Sequence, residues 1–300
     1  MKIATTIEDF YMYSKDTIKC IEWASECGFR YLDFSFWIPE IIKDTPLGTD
    51  NYKAYLDKIL EKCNSLGVKF VQAHAPRGQA IIKDENYQEY LFLVKRSIEC
   101  CSYLGIDKIV LHWGLKEGID KQEYLELNKE FYLKFLDYAE GLGVKILTEN
   151  ANNTPFNGYF AKNTQELLEL VEYVNHPNLA VCYDVGHGNM FDVPQHEQII
   201  PFNKHLVALH VNDNLKTRDY HVAPFFGSTN FDSVMYGLKE IGYNGYFTLE
   251  STYFYTGDAF KTKFGENKLF TVPLELKLKG EKLLYELTKH ILVTYDCFSE

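Results

Sequence analysis

Short apolar runs and amphipathic segments alternate along this chain at a steady interval. Five stretches share one design: CGFRYLDF (27–34), LGVKFVQAH (66–74), LGIDKIVLH (104–112), LGVKILTE (142–149) and IGYNGYFTLE (241–250). Each sets a glycine where a helix should stop, because glycine takes the left-handed C′ conformation cheaply, and a run rich in β-formers follows. The first four of these glycines, Gly28, Gly67, Gly105 and Gly143, stand 38 or 39 residues apart. A strand-plus-helix unit therefore recurs, and eight such units would use nearly all of the 300 residues.

Helical periodicity fills the gaps. Tyr52, Tyr55, Leu56, Ile59, Leu60 and Cys63 recur at helical spacing, as do Leu91, Val94, Ile98 and Cys101. NTQELLELVEYV predicts a third helix, with Asn163 as cap and Glu166 three residues on. Near-continuous apolar strands alternating with such helices predict a parallel sheet covered on its outer face. The reading is an α/β protein, a (β/α)8 TIM barrel in one domain over 1–300: a barrel core over about 1–251, then an extension and last helix over 252–300, the helix at about 281–295. A doubly wound open sheet is the alternative, weakened because no G-x-G-x-x-G follows the first strand.

The strands are expected to end near Thr6, Phe36, His74, His112, Glu149, Asp184, His210 and Glu250. Strands three to eight thus finish on His, His, Glu, Asp, His and Glu, although these types fill only 51 of 300 positions. Barrels of this kind place their active site at these strand ends. Clustered carboxylates there raise one another's pKa and are costly to bury, which a divalent cation relieves. Mixed carboxylate and imidazole donors suit Mn²⁺, Co²⁺, Mg²⁺ or Zn²⁺. The run after His210 carries Asp213, Arg218, Asp219 and His221 and is long enough to fold over a ligand.

Composition narrows the partner. Thirty-one basic against 42 acidic residues give a net charge of −11, which opposes non-specific nucleic-acid binding. No stretch reaches the roughly 18 apolar residues of a membrane span and no secretory leader is evident, so a cytoplasmic location is expected. Seven cysteines without a C-x-x-C pair are expected to be buried free thiols.

HAP (74–76), LHWG (111–114), TEN (148–150), DVGH (184–187), HVND (210–213), DYH (219–221) and GYNGYFTLE (242–250) resemble the xylose isomerase-like TIM-barrel superfamily, which includes sugar phosphate isomerases and epimerases and the endonuclease IV type of AP endonuclease. The resemblance covers about residues 1–251. It implies one divalent metal held by Glu149, Asp184, His210 and Glu250, with Glu149 and Glu250 moving a proton on opposite faces of a keto sugar through an enediolate. It also implies substrate contacts from His187, Arg218, His74 and His112. The expected activity is that of a metal-dependent sugar or sugar phosphate isomerase or epimerase, with a small-molecule partner and a possible homo-oligomer.

The nuclease branch implies a different chemistry. Its three-zinc pattern adds His74, His112, His187, Asp219 and His221 to the ligands, which would make a phosphodiesterase. The stretches that follow the nuclease ligands do not match: ANNTPFNG follows Glu149 and GNMFDV follows His187. A metal-dependent lyase or dehydratase on the same scaffold is a further alternative. Asp33 matches an acidic position of the superfamily and is expected to support the site rather than ligate. Trp113 is expected to line the site or pack beneath it. Phe225 and Phe226 are expected to stack on a sugar or cover the barrel mouth.

Overall fold

The computed structural model describes residues 1–152, 160–161, 163–252 and 272–300. Eight parallel strands run β1 (Lys2–Thr6), β2 (Tyr31–Ser35), β3 (Lys69–His74), β4 (Lys108–Val110), β5 (Lys145–Glu149), β6 (Leu179–Asp184), β7 (Leu206–His210) and β8 (Tyr246–Leu249). Their order is β7-β6-β5-β4-β3-β2-β1-β8. One residue closes the ring: Val211 N–H donates to Thr248 O at 2.8 Å and Glu250 N–H donates to Val211 O at 3.0 Å. The barrel read from the repeat is the fold.

The joints behave as the glycine spacing predicts. Gly28, Gly67, Gly105, Gly143 and Gly242 all have positive φ, the region that a Cβ makes expensive. The predicted helices lie at Tyr52–Leu66, Tyr87–Leu104 and Thr164–Val174, and the Asn163 side chain accepts from Glu166 N–H at 2.9 Å. Leu32 and Phe34 of β2 join the large core between strands and helices, while Val110, Leu147, Ala180, Cys182 and Ala208 form a separate small cluster. All seven cysteines are free, and all but Cys297 are buried.

Three boundaries differ from the sequence reading. β2 stops at Ser35 and β4 at Val110, so His112 stands two residues beyond its strand. The ladder nevertheless continues one residue further, through Phe36 N–H to His74 O and Leu111 N–H to Leu147 O, both 2.8 Å. The last helix runs Leu274–Thr294, starting about two turns earlier than expected. Gly280 looks like a break in sequence but is buried within the helix, and Pro273 at the start supplies the boundary instead. Of the extension, residues 253–271 lie outside the described residues.

Candidate active site and metal centre

Glu149, Asp184 and His210 are the last residues of β5, β6 and β7, and Glu250 follows β8 directly. One ligand atom from each of the four lies within 4.8 Å of the others. His210 Nδ1 is 2.8 Å from Glu149 Oε1 and 3.6 Å from Glu250 Oε2. Asp184 is held rigidly: Oδ1 accepts from His187 N–H at 2.6 Å and Oδ2 from Asn212 Nδ2 at 2.9 Å. The four residues named from the sequence therefore meet at one point.

Two further groups flank this one. His74 and His112 bring their Nε2 atoms within 3.1 Å of each other, and His112 Nε2 is 3.2 Å from Glu149 Oε2. Two imidazole nitrogens this close need a proton or a cation between them. On the other side, Asp219 Oδ2 is 3.0 Å from His187 Nε2 and 3.1 Å from His221 Nε2. His74, His187 and His221 each direct Nδ1 at a backbone carbonyl, those of Ala75, Asn150 and Glu250, at 2.8, 2.7 and 2.8 Å. That partner assigns the proton to Nδ1 and turns the Nε2 lone pair towards the cluster, the arrangement found around bound metals.

The charges test whether cations fit. Four carboxylates and five imidazoles share a largely buried space. Burial opposes charge on every one, yet the Asp184 and Asp219 carboxylates lift His187 to about 10. His221 is also raised, against its burial, by Asp219, and His210 by Cys182, Glu250 and Glu149. Burial pushes Glu250 up to about 8, while Glu149, despite burial, is held below the usual carboxylate range by His210. Burial together with His112 and His210 takes His74 down to about 3. Without cations, protons on imidazole thus offset the carboxylates. Asp219 Oδ1 is buried with no hydrogen-bond partner among the described residues, one more acceptor in want of a cation. The donor set fits divalent ions, and the nine residues just named fall into groups that could hold one or more of them.

The remaining expectations divide. Arg218 lines the cavity over the cluster, about 720 Å³, but is exposed at its lip with its guanidinium 6.0 Å from the Tyr220 ring centre. Trp113 also lines it and donates from Nε1 to Glu149 O at 2.9 Å. Asp33 is buried with neither oxygen hydrogen-bonded among the described residues, 3.9 Å from His210 Nε2, so it stands behind the histidine rather than beside the other carboxylates. Phe225 and Phe226 are about half exposed and do not line the cavity; Phe225 packs by Phe231 and His290. The reason for Gly186 is also specific. A Cβ there would lie 1.8 Å from Asn212 Oδ1, so the glycine makes room for the amide that holds Asp184.

Sequence reasoning missed Glu8, Trp37, Asn150 and Asn212. Asn150 clasps Asp184 through its backbone, and Glu8 and Trp37 form a wall of the cavity. Asn150 and Asn212 sit inside the quoted TEN and HVND stretches, which was the available signal. Glu8 and Trp37 follow strands one and two, where no motif marked them.

Among curated proteins, the chain is 30% identical over 163 residues to an uncharacterised protein of Methanocaldococcus jannaschii, 53% of this chain and 55% of that one. It is 26% identical over 178 residues to the Probable endonuclease 4 of Thermotoga maritima, 53% and 60% of the two chains. The chain thus spans little more than half the length of these relatives. The 2-oxo-tetronate isomerase of Haemophilus influenzae is 27% identical over 243 residues, 75% of this chain and 83% of its own. Among solved structures, a D-tagatose 3-epimerase-like protein superposes with TM-score 0.75 at 20% identity, covering 99% of this chain and 98% of its own. An IolI protein with a bound zinc atom gives 0.76 at 20% identity over the full length of both. A family model described as xylose isomerase-like TIM barrel matches residues 21–266, and the chain belongs to that family.

Proposed function

We propose that this chain is a divalent-metal-dependent isomerase or epimerase of a sugar or sugar phosphate, working by proton transfer next to a carbonyl. The observation that carries this reading is the meeting of Glu149, Asp184, His210 and Glu250 under an open cavity. A bound divalent ion would polarise the substrate oxygens as a Lewis acid. Glu149 and Glu250 enter the cavity from different strands, so one can take a proton and the other return it. The 2-oxo-tetronate isomerase relative, and a fold shared with a D-tagatose 3-epimerase-like protein, are in keeping with this chemistry. The test is incubation of Mn²⁺-, Co²⁺-, Mg²⁺- or Zn²⁺-loaded protein with ketoses in D₂O. Deuterium should enter the carbon next to the carbonyl, and Glu149→Gln should abolish it. Full exchange by that variant would refute the role given to Glu149.

The two flanking groups favour a second reading, a trinuclear phosphodiesterase, more strongly than the motifs alone did. All nine residues of the three-ion pattern fall into three adjacent sets. Against it stands the charge: among the described residues, Lys116 and Arg218 are the only Lys or Arg lining the cavity, on a chain of net charge −11. Metal analysis separates the two. One ion per chain with ketose activity supports the isomerase, and three zinc ions with cleavage of abasic-site DNA support the nuclease.

A further inference from the structure

The wall of the cavity beside β1 and β2 is built from groups that play no part in the ion cluster. Glu8 follows β1 in a single turn, Ile7–Phe10, whose start is capped by Thr6 Oγ1 accepting from Glu8 N–H at 3.2 Å. Its Oε2 accepts from Ser35 Oγ at 2.5 Å, and Ser35 Oγ in turn accepts from Trp37 N–H at 3.2 Å. The ends of β1 and β2 therefore tie the Glu8 carboxyl to the backbone that carries Trp37. Glu8 lines the cavity, and its Oε1 has no hydrogen-bond partner among the described residues. Trp37 lines it too, with its ring 5.0 Å from His74 and 5.5 Å from His112, next to the ligand groups.

A carboxyl whose Oε2 accepts from Ser35 and whose Oε1 is open beside an indole suits one kind of ligand surface: hydroxyl groups on one edge and an apolar C–H face on another. Leaving that oxygen unpaired against an apolar group would be costly, so a ligand of this shape gains what others lose. A phosphate ester on this side would set about two negative charges against Glu8 in a site of reduced dielectric. Among the described residues, the cationic side chains lining the cavity, Lys116 and Arg218, come from the loops after β4 and β7; Arg77, after β3, stays outside the lining although its charge reaches Glu8 and partly offsets the effect of burial there.

We propose that Glu8 and Trp37 form a specificity subsite that holds the hydroxyl-bearing end of a free, unphosphorylated sugar. This rests on the isomerase reading of the same cavity. The substrate lies with its carbonyl end at the ion cluster and its polyol end along the indole, one or two hydroxyls donating to Glu8. Trp37 supplies shape and Glu8 the discrimination.

The experiment pairs each free ketopentose and ketohexose with its terminal phosphate ester, using the Mn²⁺-loaded chain. Turnover and solvent-deuterium exchange give KM and kcat, and bound Mn²⁺ per chain is counted for every variant. The wild type should favour the free member of the best pair by about tenfold or more in kcat/KM. Glu8→Gln, which can still accept from Ser35, should raise KM for the free sugar and narrow that ratio without loss of Mn²⁺. Trp37→Leu should raise KM for both members, which keeps the subsite testable if a Glu8 variant misfolds. A wild type that prefers the ester, or a Glu8→Gln KM within twofold of wild type, overturns the subsite and leaves the proton-transfer reading intact. Absence of exchange with every pair overturns both.

Discussion

Asn150 grips Asp184 by both of its backbone polar groups: its Oδ1 accepts from Asp184 N–H at 2.8 Å, and its Nδ2 donates to Asp184 O at 3.0 Å. Its own carbonyl faces His187 Nδ1 at 2.7 Å, so one residue orients members of two ligand groups. Replacing such supporting residues typically costs 10–100-fold in metal affinity. Asn150→Ala should therefore weaken Mn²⁺ binding by about that factor, measured by isothermal titration. Removing the buried amide should also lower stability by about 1–3 kcal/mol.

Gly186 and Asn212 are in steric opposition, since a Cβ on the glycine would sit 1.8 Å from Asn212 Oδ1. Gly186→Ala must displace the amide that donates to Asp184 Oδ2. Overpacking of this kind costs about 1–3 kcal/mol. The expected outcome is a lower Tm together with weaker metal binding. Gly186→Ala combined with Asn212→Ala should recover most of the Tm but not the metal affinity.

Protons and cations compete for the same donors. With His187 at about 10 and Glu250 at about 8, the ion-free site carries protons at neutral pH that a cation must displace. Loading should release protons, and affinity should fall as pH drops below about 10 and more steeply below about 8, by about tenfold per pH unit for each proton displaced. Calorimetry in two buffers of different ionisation enthalpy reads the number released. A loading heat independent of buffer would contradict the charge pattern described.

Lys277 and Glu281 form a fully buried pair in the last helix, Nζ to Oε1 at 2.6 Å, near Asp9, whose Oδ1 is buried with no hydrogen bond among the described residues. Removing one member of a buried pair costs about 3–5 kcal/mol because the other is left uncompensated. Lys277→Met should show that loss in urea unfolding. Lys277→Met with Glu281→Leu should regain part of it.

What could be read in advance follows from how local its cause is. The glycines at 28, 67, 105 and 143 encode positive φ within a single residue, so the repeat gave the barrel. Glu149, Asp184, His210 and Glu250 were legible because strand ends of a parallel barrel must converge, and the five flanking residues through their motifs. Glu8 was not legible, because its importance comes from Ser35, 27 residues away, and from a turn that no periodicity announces. The early start of the last helix was hidden by Gly280, which in sequence looks like a break and in the structure is simply buried. Phe225 and Phe226 stayed open between stacking on a sugar and packing, because aromatic content beside a binding loop says nothing about which way the loop turns.

The ring of strands is fastened at a single residue, and that fastening lies between two candidate ligands. Val211 follows His210, and the amide it binds belongs to Glu250. An ion gripped by both side chains would therefore bridge the seam from above, joining β7 and β8 across the gap that backbone bonding spans most thinly. Occupancy of the site and integrity of the cylinder would then rise and fall together.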